Sequence, residues 1–77
     1  MLINLAIQLK EYYLFYFSPI QQEGTLEVYG SNGARIVSSQ LLPGTYTKTI
    51  SVANTPGTYV VRLISGGRIE TVRWVLL

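Results

Sequence analysis

The sequence predicts an all-β domain, built as a small sandwich or barrel. Three observations carry that expectation. Apolar and polar residues alternate with a period of two along most of the chain, the pattern of strands with one buried face. β-Branched and aromatic residues are plentiful, with six Tyr, two Phe and one Trp in 77 residues, and these side chains favour a pleated, half-buried surface. Clusters of Gly, Pro, Asn and Ser interrupt the alternation at intervals of about 8–12 residues, the punctuation of hairpins and sheet-to-sheet connections.

Each strand can be argued in turn. In LINLAIQL (2–9), Ile3, Leu5, Ile7 and Leu9 fall on one face and Asn4, Ala6 and Gln8 on the other, which reads as a half-buried strand. YYLFYF (12–17) is strongly β-prone and ends at Ser18-Pro19, because proline cannot donate to a ladder and pushes the preceding residue towards extended geometry. Residues 1–17 are apolar enough to be read alternatively as a single helix. GTLEVYG (24–30) alternates again, with Leu26 and Val28 on one side and Glu27 and Tyr29 on the other. SNG (31–33) is a hairpin signal, since Asn and Gly tolerate positive φ, and ARIVSSQL (34–41) is the returning strand. The phrase PGTY occurs twice, at 43–46 and 56–59, before TYTKTISV (45–52) and TYVVRLIS (58–65). Both copies read as a turn followed by a strand, because Pro presets φ and Gly supplies the unusual dihedral. SGG (65–67) closes another hairpin, and RIETVRWVLL (68–77) is the last strand, with Val72, Trp74 and Leu76 on one face and Arg73 and Val75 on the other.

The chain is short enough to be one domain, residues 1–77, and a chain of this size buries only about 60% of the surface it exposes unfolded. It has no Cys and no His, so disulfides and cysteine-histidine zinc sites are excluded and apolar burial must supply stability. Only 13% of residues are charged, against about 25% in an average soluble domain. The cations Lys10, Arg35, Lys48, Arg62, Arg68 and Arg73 are scattered and the net charge is +2, which argues against nucleic acid, since binders of it gather charge on one face. The first 20 residues lack the order of a signal peptide, and Lys10-Glu11 interrupts the apolar run a membrane span would need. Neither a leader nor a membrane-inserting segment is expected, and the chain reads as a fragment of a larger protein.

Catalysis is not expected. The only acids are Glu11, Glu23, Glu27 and Glu70. Glu27 and Glu70 read as solvated charges on outward strand faces rather than as a carboxylate pair across a cleft. The serines lack a base, and no oxygen-rich cluster suggests a Mg²⁺ or Ca²⁺ site; no cofactor is expected. Trp74 reads first as core, and alternatively as a sugar-stacking ring. Tyr12, Tyr13 and Tyr16 read first as strand packing with an amphipathic rim, and alternatively as an aromatic platform for carbohydrate. An exposed YYLFYF edge would invite self-association.

Taken as a unit, residues 24–77 carry a more specific pattern. LEVYGSNGARIV, followed by PGTYVVRLISGGRIETVRWVLL with Gly57, Tyr59, Val61, Arg62, Leu63, Gly67 and Arg73 in place, resembles the C-terminal sorting domain of type IX (Por) secretion cargo in Bacteroidota. The resemblance covers about two-thirds of the chain; residues 1–20 are atypical of it, the family's opening Pro-Asn-Pro phrase is absent, and Asn54 stands where an apolar residue is usual. It implies an antiparallel Ig-like β-sandwich of about six to seven strands. It implies a non-catalytic address at the end of a larger secreted or cell-surface protein, reached through the periplasm, with the outer-membrane type IX machinery and a surface sortase-like peptidase as partners. On this view Arg73, Val75, Leu76 and Leu77 carry the export signal, while Gly33, Gly57, Tyr59 and Gly67 hold the fold. The competing reading is an Ig-like extracellular binding or adhesion module for carbohydrate or protein; a structural spacer is a third.

Overall fold

A computed structural model describes residues 3–9, 12–51 and 56–76. It forms seven strands: β1 (Ile3–Leu9), β2 (Tyr12–Phe17), β3 (Gly24–Tyr29), β4 (Arg35–Leu41), β5 (Thr47–Ser51), β6 (Gly57–Ser65) and β7 (Arg68–Leu76). They make two antiparallel sheets, a three-stranded one in the order β1-β2-β5 and a four-stranded one in the order β4-β3-β6-β7. The helical alternative for residues 1–17 is overturned. Ile3–Leu9 and Tyr12–Phe17 pair antiparallel, with Ile7 opposite Leu14 and Leu9 opposite Tyr12. The physical reason lies in β2: its aromatic residues at period two put Tyr13, Phe15 and Phe17 in the core, an arrangement a helical period of 3.6 would scatter around the axis.

The two sheets face each other across one core. The three-stranded sheet contributes Tyr13, Phe15, Phe17 and Ile50, and the four-stranded sheet contributes Leu26, Val28, Leu41, Tyr59, Val61, Leu63 and Leu76. Val72 and Trp74 pack against this cluster from β7, so the inward face expected for Val72, Trp74 and Leu76 is the observed one. Trp74 ties the sheets together. Its ring lies edge-on to Tyr13 at 4.2 Å and to Phe15 at 5.7 Å, and tilted against Tyr59 at 5.2 Å. Edge-to-face pairs of this kind add about 0.5–1.5 kcal/mol beyond the area they bury.

Within β1, Ile7 departs from its simplest reading. Ile7 is exposed and pairs with Leu14, on the face of β2 opposite to Tyr13 and Phe15. Ile7 therefore lies on the outside of the three-stranded sheet, because β2 has already assigned the inner face to its aromatic rings; the register shifts between Ile3 and Leu5.

The turns follow the sequence closely. Gly66 and Gly67 have φ of 57° and 76° and form a two-residue loop between the paired Ser65 and Arg68, the primed hairpin turn whose twist suits antiparallel strands. In the β3–β4 hairpin the Gly33 amide donates to Gly30 O at 3.0 Å and the Gly30 amide to Ala34 O at 2.9 Å. Asn32 Oδ1 accepts from the Ala34 amide at 3.1 Å, and Gly33 has φ 83°. A shift in register follows, with Val28 opposite Val37 but Tyr29 opposite Arg35. This bulge returns Arg35 to the outer face of the sheet, beside Tyr29.

Candidate recognition surface

The last strand supplies most of the residues that the sequence singles out. β7 lies at the edge of the four-stranded sheet, paired along one side with β6. Arg73 and Val75 point outward and are exposed, whereas Leu76 is buried in the core. Of the four export-signal candidates, then, Arg73 and Val75 present side chains at the surface and Leu76 does not; Leu77 lies outside the described residues. Among the fold-holding candidates, Gly33 and Gly67 take positive φ in turns, and Tyr59 is buried against Trp74. Gly57, the first residue of β6, also takes positive φ, 157°, a backbone conformation that residues with a side chain rarely adopt.

The outer face of the four-stranded sheet holds a polar cluster that the sequence does not announce. Glu27 faces outward, as its position between the buried Leu26 and Val28 requires. It is nevertheless only 8% exposed, which corrects the expectation of a solvated charge. The Tyr29 hydroxyl donates to Glu27 Oε1 at 3.0 Å, Arg35 Nη1 donates to Oε2 at 3.3 Å, and Arg62 Nη1 stands 4.0 Å from Oε1. The cause is strand order: β3 is interior, with β4 on one side and β6 on the other, so long side chains from both neighbours close over it. The Arg62 guanidinium also lies 5.7 Å from the centre of the Tyr29 ring, within cation–π range. Glu70 is corrected too. It pairs with Leu63 and shares the parity of Val72 and Trp74, so it is half-buried on the inward side of β7.

The tyrosines do not form one platform. Tyr13 is in the core, while Tyr12 is exposed and Tyr16 half-buried on the opposite face of β2. Alternation along a strand forces this split, since neighbours in sequence point to opposite faces.

Among the described residues, no group of three or more His, Cys, Asp or Glu could hold a metal ion. The surface has shallow clefts. One lies between the 18–22 crossover and the β6–β7 hairpin, lined by Ser18, Gln22, Ser65 and Arg68, and Ser65 Oγ donates to Gln22 O across it at 2.9 Å. A second, of about 450 Å³, is lined by Tyr29, Thr58, Val60, Arg62 and Arg73 and by the β3–β4 turn. With the polar cluster at its side and β7 at its edge, this end of the outer face is where exposed cations and an open sheet edge come together. No family model matches the chain, and a search of the curated proteins finds no match.

Proposed function

We propose that the domain is a non-catalytic sorting tag, the C-terminal secretion signal of a larger type IX cargo protein. The observation that carries this reading is the presentation of β7. It is an edge strand with Arg73 and Val75 exposed along it, held rigid from behind by Trp74 and Leu76. An export machine that accepts varied cargo needs a tag of fixed shape, and an exposed strand edge offers main-chain pairing whose specificity comes from alternate side chains. An Ig-like sandwich serves this role without any reacting group of its own. The proposed partners are the outer-membrane type IX machinery and, after export, a sortase-like surface peptidase.

The test is an export assay with residues 1–77 fused behind a signal-peptide-bearing fluorescent reporter. The whole chain is needed, because β2 gives Tyr13, Phe15 and Phe17 to the core. Deleting 73–77 would remove Trp74 and Leu76 and confuse unfolding with loss of signal. The informative variants are the exposed ones, Arg73→Glu and Val75→Lys. Export to the surface or medium in a strain with a working type IX machine, absent in a strain with that machine disabled and reduced at least about tenfold by the double variant, is the expected result. Retention of the unaltered fusion in the periplasm of both strains would overturn the reading in favour of an Ig-like binding module.

A further inference from the structure

We infer that the cleft between β6, β7 and the β3–β4 turn is a carboxylate-binding site, built to take an acidic side chain of a peptide between Arg62 and Arg73. The placement follows from register. Val60 pairs with Arg73 and Arg62 with Thr71, so the two arginines are diagonal neighbours on adjacent strands and share the outer face with Tyr29, which pairs with Val60. Diagonal positions of this kind lie within reach of long side chains.

The hydrogen-bonding capacity of both guanidinium groups is largely unspent. Glu27 is already served by Tyr29 at one oxygen and by Arg35 at the other. Arg62 stands 4.0 Å from it, beyond hydrogen-bonding distance, and the Tyr29 ring steadies its guanidinium. Arg73 has no ion-pair partner among the described residues. Arginine presents its donors in a planar fork that matches a carboxylate. With Arg35, Arg62 and Arg73 against Glu27 alone among the described residues, the cluster carries a surplus of positive charge.

The lining decides the class of ligand. Val60 and the edge of Tyr29 give the cleft an apolar wall beside its cations, which suits an acidic residue with apolar neighbours. A polyanion such as nucleic acid needs several cations in line, and the adjoining outward positions on these two strands are Thr58, Thr71 and Val75. A free phosphate is usually held by a helix N-terminus or a nest of amides; among the described residues no helix borders this cleft, and its two cations reach it from side chains on strands. A sugar needs an open aromatic face, and one face of Tyr29 is taken up by Arg62. The site names what Arg73 would meet on an export partner and in that respect rests on the export reading; binding is measured in solution without export, so the two fail separately.

The experiment is a titration of the ¹⁵N-labelled 77-residue chain, followed by NMR, with a blocked tripeptide of glutamate flanked by leucines. The same peptide with glutamine, glucuronate and inorganic phosphate are the other arms. The expected result is movement of the Arg62 and Arg73 Nε–H signals and of the Thr58 and Val60 amides, with the glutamate peptide at least about tenfold tighter than the glutamine peptide. Arg73→Gln, at an exposed position, should weaken it about tenfold while leaving the remaining spectrum in place, and Arg73→Lys should recover only part. Equal binding of the two peptides, shifts confined to other surfaces, or no binding would overturn the proposal. So would glucuronate or phosphate matching the glutamate peptide, which would leave an unselective anion site in place of a peptide site.

Discussion

The two PGTY phrases show how far a residue's meaning depends on where its neighbours lead. In the first, the Thr45 amide donates to Leu42 O at 3.1 Å and Gly44 has φ 88°, which makes Leu42–Pro43–Gly44–Thr45 a type II turn with Gly where positive φ is required. β5 then starts at Thr47, after Tyr46, which is 59% exposed. In the second, Gly57 already belongs to β6, and Tyr59 is 6% exposed against Trp74. The reading of a turn followed by a strand holds for the first copy; in the second, Gly57 takes positive φ and the strand follows at once, while the residues leading into it, 52–55, lie outside the described residues. The difference has an energetic consequence. Tyr59→Ala should cost about 3–5 kcal/mol, the range for removing a large aromatic from a core. Tyr46→Ala should stay within about 0.5 kcal/mol of the parent. Total stability for a chain of this length is about 4–12 kcal/mol, so urea unfolding should show the first variant close to its limit and the second unchanged. Similar losses for both would mean that Tyr46 has a packing role.

At the scale of elements, the hairpins were the most legible parts of the chain and the faces of the strands less so. SGG predicts a tight turn, and Gly66 and Gly67 both take the positive φ it demands. A Cβ added at Gly67 would meet nothing within 4 Å, so Gly67→Ala isolates the backbone term. It should cost about 1–2 kcal/mol, the penalty of a left-handed conformation for an L-residue, seen as a lower urea midpoint with an unchanged slope. No loss would mean that the loop adopts another turn without strain. What the sequence could not disclose was which strands sit side by side. The alternation in LEVY places Glu27 on the outer face, but only the order β4-β3-β6 brings Arg35 and Arg62 to it from both sides. The same holds for Ile7 in β1: the alternation around it was visible, whereas its face was chosen by pairing with Leu14 of β2. The cleft beside Arg62 and Arg73 was illegible for this reason too, since its two cations are 11 positions apart in sequence and meet only through the register of β6 with β7.

At the scale of the whole molecule, the two sheets present unlike outer faces. The four-stranded sheet mixes Thr58, Arg62, Thr71, Arg73, Glu27 and Tyr29 with the exposed Ile69 and Val75. The three-stranded sheet offers Ile7, Tyr12, Leu14 and Tyr16, with Thr47, Thr49 and Ser51 of β5 in register with the last three, and no charged side chain is described on this face. YYLFYF is not an edge, because β2 is the middle strand with β1 and β5 paired on either side; what it offers to another copy is this uncharged face, which favours contact between copies. Its size sets the strength. Three strands about 4.8 Å apart and about 20 Å long make a patch of roughly 300 Å², well below the roughly 800 Å² per partner of a stable complex. The expected behaviour is therefore weak, concentration-dependent self-association rather than a fixed dimer. Sedimentation equilibrium across a wide concentration range should show the weight-average mass rising above that of one chain at the upper end. Tyr12→Lys, at an exposed position, should hold it at the monomer without lowering the unfolding midpoint, because a charge there must be desolvated in any contact while the core is untouched. A parent chain that stays monomeric throughout would show that Tyr12 and Tyr16 remain sufficiently hydrated through their hydroxyls, and would remove self-association from the properties of this face.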